Sequence, residues 1–91
     1  MIKVALHILG DKGYEVESVS VGKYRWSENE KPFDTSQDIH PGRFGIVVCT
    51  KDKRKVFENV MISEESFAIN ISYDGSSINL EIEDGIEEVY L

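Results

Sequence analysis

Phe67, Ile69, Ile71 and Tyr73 alternate with Ala68, Asn70 and Ser72, and Asp74-Gly75 follows directly. That is the period of a half-buried strand running into the residue pair preferred in a tight hairpin turn, where glycine accepts positive φ. A two-residue loop sets Tyr73 opposite Ser76, Ile71 opposite Ile78, Ile69 opposite Leu80 and Phe67 opposite Ile82. Three apolar pairs on one face make turn and pattern agree. Asp84-Gly85 offers a second such turn. Pairing outward from Glu83 and Ile86 brings Leu80 to Val89 and Ile78 to Leu91, with Glu81 opposite Glu88 and Asn79 opposite Tyr90 on the other face.

The rest of the chain reads in the same way. Ile2, Val4, Leu6 and Ile8 share one strand face, and His7 lies on the other with Lys3 and Ala5. Gly10-Asp11-Lys12-Gly13 is a hairpin loop by composition; its GxxG spacing lacks the helices and basic setting of a nucleic-acid clamp. A strand from Tyr14 toward Trp26 changes phase near Glu17-Ser18, the mark of a β-bulge or of two short strands joined. Phe44 to Thr50 is almost wholly apolar, as in a central strand covered on both faces, with Cys49 a small buried hydrophobe. Residues 51–63 suit a polar loop and a strand from Lys55 to Ile62, although Val56, Phe57, Val60 and Met61 also fall at helical spacing. Valine and isoleucine favour the strand.

Between these elements, residues 27–43 form a long loop with turn chemistry of its own. Lys31-Pro32 is extended, His40-Pro41-Gly42-Arg43 suits a type II turn, and Thr35-Ser36-Gln37-Asp38 has capping-box spacing for a short helical turn. The fold expected is mainly β: a small antiparallel barrel or sandwich of about six or seven short strands with one long ordered loop (27–43), in a single domain over residues 1–91.

Charge bounds the function. The 91 residues carry a net charge of −7, and no Lys or Arg follows Lys55, so the last 36 residues hold nine carboxylates without a side-chain cation. Such a field repels duplex nucleic acid and anionic membranes and attracts basic partners. One cysteine excludes an intrachain disulfide, and with no leader-like segment the expected location is the cytoplasm. No GxSxG, GxxxxGK[ST], HExxH or EF-hand pattern occurs, so neither catalysis nor a cofactor nor a metal is expected.

Two surfaces are candidates. An acidic antagonist of a basic macromolecule, of immunity- or inhibitor-like kind, would use Trp26, Phe33, Glu81, Glu83, Glu88 and Tyr90. A small β module for an anionic metabolite or nucleotide would use Trp26, His40, Arg43 and the cations Lys51, Lys53, Arg54 and Lys55. A third possibility is a structural subunit that assembles into a homo-oligomer through its sheet edges. Trp26 and Phe33 either meet a partner or fold back over the core, and both readings stand open.

Overall fold

The computed structural model describes residues 1–27 and 36–85. Among the described residues eight strands run in chain order: β1 Ile2–Leu9, β2 Val16–Val21, β3 Tyr24–Trp26, β4 Ser36–Ile39, β5 Gly42–Thr50, β6 Arg54–Ile62, β7 Ser66–Tyr73 and β8 Ile78–Asp84. They form two four-stranded sheets, β4-β1-β7-β8 (sheet A) and β3-β2-β5-β6 (sheet B). The mainly β, sandwich-like architecture matches expectation, with one strand more than the upper count.

The core lies between the sheets. Val4, Leu6, Ile39, Ile69, Ile71 and Ile78 pack from sheet A against Val19, Val21, Trp26, Ile46, Val48 and Ile62 from sheet B. Most are β-branched, which suits a pleated surface covered on one side. On β5 the buried residues Ile46, Val48 and Thr50 alternate with half-buried Val47 and Cys49, so only one face of this strand is fully covered. Cys49 is a free, half-buried thiol rather than a core residue.

Bulges set the finer geometry. Pairing of β2 with β5 shifts between Val16 and Ser18, where the phase change in sequence falls. A two-residue turn at Gly22-Lys23 then folds β3 back on β2, with Val21 opposite Tyr24. Gly22 has φ +57, as the first position of a II′ turn requires, and a Cβ there would lie 2.8 Å from the Phe44 ring. In β6 the extra residue is accommodated around Asn59, at φ 57, a conformation that asparagine tolerates better than most residues. The strand reading of residues 54–62 holds, because the β5 partner is supplied by a short loop at 51–53.

Several expectations are corrected. The β7–β8 hairpin forms, but Tyr73 pairs with Ile78, Ile71 with Leu80 and Ile69 with Ile82, two residues away from the expected register. The Asp74 carboxylate accepts the backbone N–H groups of Ser76 and Ser77, each at 2.8 Å, which builds a four-residue loop instead of a two-residue one. A shift of two preserves the faces. Phe67 is the exception: a bulge between Ser66 and Ala68 turns it outward, 48% exposed.

The loop at 10–13 does not make a hairpin. β1 pairs instead with β4 and, in parallel, with β7, while residues 13–15 form a single 3-10 turn leading across to sheet B. The segment 36–39 is a strand and not a helical turn, because its backbone completes the edge of β1. His40 and Pro41 carry the chain from sheet A to sheet B without the expected type II reversal. The expected second hairpin, with Ile86, Glu88, Val89, Tyr90 and Leu91, lies outside the described residues.

Candidate interaction surface

Sheet pairing sorts the charges in a way that chain order does not. Sheet A and its β7–β8 loop carry Lys3 against Asp38, Asp74, Glu81, Glu83 and Asp84, a balance of −4. The hairpins of sheet B carry Lys23, Lys51 and Lys53, and its strands carry Arg25, Arg43, Arg54 and Lys55. Against these seven cations stand Glu17, Asp52 and Glu58, a balance of +4. An acidic chain has therefore folded into one acidic and one basic sheet.

The acidic face is built by strand alternation. Ile78, Leu80 and Ile82 of β8 point toward the core, so Asn79, Glu81 and Glu83 occupy its outer face. Register places Glu81 beside Asn70, and Asn70 beside His7 on β1. His7 Nδ1 lies 3.0 Å from Asn70 Oδ1, which accounts for this histidine as a cross-strand partner. Asp38 joins the face from β4, opposite Lys3. Asp38 was not foreseen, since four residues of strand inside a polar segment leave too short a period to read.

At the lower end of this sheet, Gly10, Asp11, Ser72, Tyr73, Asp74, Ser77 and Asn79 line an open hollow of about 260 Å³. Asp74 is held below the ordinary carboxylate range, first by the N–H of Ser77, then by that of Ser76, with the Lys53 charge assisting. Lys53 Nζ donates to the carbonyls of Gly75 (3.2 Å) and Ser76 (2.8 Å) and lies 5.8 Å from the Tyr73 ring centre. The stability that ionised Asp74 confers is present above its unfolded-state pKa and is lost as pH falls through the lower folded-state value. Asp74→Ala should therefore lower the urea midpoint at neutral pH and converge with the parent as pH falls through and below the ordinary carboxylate window. Parallel curves across that window would refute this role.

The candidate residues distribute as follows. Glu81 is exposed and Glu83 half-buried on the same face, whereas Phe33, Glu88 and Tyr90 lie outside the described residues. Trp26 is withdrawn from both candidate sets: it is 0% exposed, on β3 opposite Val19, because strand parity points it into the core. The small-ligand set is not assembled. His40 and Arg43 flank the start of β5 and Lys51 follows its end, so roughly 23 Å of strand, at about 3.3 Å per residue, separates Arg43 from Thr50. His40 donates its backbone N–H to the Tyr24 hydroxyl at 3.1 Å, Lys53 is engaged by carbonyls, and Lys55 Nζ sits 5.6 Å from the Phe57 ring centre. Lys51 and Arg54 are exposed.

Among the described residues no group of three or more His, Cys, Asp or Glu is placed to hold a metal, and no helix is long and apolar enough to cross a membrane. Compared with family models, curated proteins and solved structures, the chain gives no match. What the geometry defines is a two-sheet β protein whose charge is divided between its sheets.

Proposed function

We propose that this protein is a non-enzymatic interaction module that binds a basic macromolecular partner through the outer face of sheet A and blocks or sequesters it. The observation that carries this reading is the separation of charge between sheets, which among the described residues concentrates Asp38, Glu81 and Glu83 on one face with a single cation, Lys3. Complementary charge accelerates encounter and fixes orientation, and the polar side chains of Asn70, Ser72 and Asn79 add hydrogen-bonding groups. The small-ligand reading receives no comparable support, because its proposed residues lie at opposite ends of β5.

The test is charge reversal. Glu81→Lys with Glu83→Lys should weaken binding to a basic partner, recovered from native lysate and purified, by about tenfold or more and flatten its salt dependence. Titration calorimetry at two ionic strengths reads both. Affinity and salt slope equal to those of the parent would sink the proposal.

A further inference from the structure

We propose that β6 is the contact strand of a two-fold symmetric dimer of this chain, formed by antiparallel pairing of Arg54–Glu58 with the same segment of a second copy. The proposal goes beyond the basic-partner reading and uses none of its residues.

Edge strands expose unpaired backbone groups, and among the described residues each sheet has two such strands. On one side of the sandwich the edges are β3 and β4, only three and four residues long. Side chains tie them together: Gln37 Nε2 donates to the Arg25 carbonyl at 2.7 Å, and His40 N–H to Tyr24. On the other side lie β8 and β6. Self-pairing of β8 gains no ion pair at its central registers: centring on Glu81 sets that carboxylate against itself, centring on Ile82 sets Glu81 against Glu83, and centring on Leu80 sets Glu81 against Asn79.

β6 is the opposite case. It is nine residues long, and among the described residues no strand pairs with its outer side. Lys53 is tethered to the β7–β8 loop at one end, and the positive-φ residue Asn59 interrupts the strand at the other. The uninterrupted stretch is thus Arg54 to Glu58, and its midpoint is Val56, which is 41% exposed. A two-fold axis normal to the sheet pairs residues of the same face, so the possible centres are few. Centring on Lys55 opposes two ammonium groups, and centring on Glu58 opposes two carboxylates.

Centring on Val56 sets Arg54 opposite Glu58 of the second copy, twice, and Lys55 opposite Phe57, twice. Val56 already pairs with half-buried Val47. The dimer would therefore extend the outer face of sheet B as a row of four valines, flanked by two ion pairs. Cross-strand apolar and opposite-charge pairs are the contacts that stabilise sheets.

Sedimentation equilibrium in reductant, from micromolar to millimolar protein, tests the geometry. Mass should rise from 10.3 kDa toward twice that value, with dissociation favoured by salt. Arg54→Glu and Glu58→Arg should each raise the dissociation constant by about tenfold, and the double variant should return it to within about threefold of the parent. Val56→Lys, which places two cations on the axis and leaves the ion pairs alone, should raise it as well. Each of these positions is exposed, and circular dichroism checks that the variants remain folded. A monomer throughout, single substitutions without effect, or a double variant that does not recover would each overturn the proposal. Because Glu81 and Glu83 are untouched, failure here leaves the basic-partner reading to its own test.

Discussion

Trp26→Ala should cost about 3–5 kcal/mol of stability, a loss comparable with the whole stability of many small domains. The indole is completely buried between sheets whose other core residues are mostly valine and isoleucine, none of which can fill the volume it leaves. Its position magnifies the effect. β3 has only three residues, and of these Trp26 alone is fully buried, so the cavity opens at an edge whose backbone pairing is short. Urea unfolding followed by circular dichroism measures the loss, and Trp26→Phe, which retains most of the apolar surface, should lose less. A Trp26→Ala variant within 1 kcal/mol of the parent, roughly the median effect of any point substitution, would show that the ring is not the core element described.

Gly10→Ala should be the second large loss, about 2–4 kcal/mol, from a substitution that adds one methyl group. Gly10 has φ +95, and a Cβ built there meets the backbone of Tyr73, with its N and carbonyl carbon each at 2.9 Å. No rotamer change relieves a clash with main chain. Neither segment can give easily, because the backbone N–H of Lys12 donates to the Tyr73 carbonyl at 3.0 Å and Tyr73 is buried. Gly45→Ala is the control: nothing lies within 4 Å of its Cβ, and its effect should stay within about 0.5 kcal/mol. Equal melting temperatures for the two variants would remove the argument.

Sequence reasoning reached the strands wherever alternation ran for six or more residues beside a turn residue. β1 and β7 are of that kind, and so is the bulge near Ser18, because a phase change is itself a periodic signal; β5 is legible instead as a continuous apolar run. Register was less legible. Asp74-Gly75 announces a turn, but whether two or four residues form it depends on how the Asp74 carboxylate is used, and that is settled by the N–H groups of Ser76 and Ser77. Gly22-Lys23 is not legible as a turn, because the apolar residues on both sides read as one continuing strand. β4 was hidden for a different reason: its four residues become a strand only when β1 offers an edge.

The candidate surface was legible in part. Glu81 and Glu83 follow from the parity of β8, which survives a two-residue register shift unchanged. The opposition of an acidic sheet to a basic one was not legible, since each sheet draws strands from both halves of the chain. A count along the sequence assigns Arg54 and Glu81 to the same acidic half; pairing sends them to different sheets. For Trp26, residue type suggested a binding centre, and strand parity overruled it.

The parallel pairing of β1 with β7 has a consequence for the order in which the molecule can be assembled. His7 and Asn70 are 63 positions apart, whereas β2, β3, β5 and β6 all fall between them. During synthesis the strands of sheet B are all available before any residue of β7 has been made. Until then Val4 and Leu6 have no neighbour on the β7 side. Closing so large a loop is a slow step for a chain of this size, and meanwhile an apolar strand waits with an open edge. β1 is thus made before sheet B, and its edge toward β7 is secured only after it.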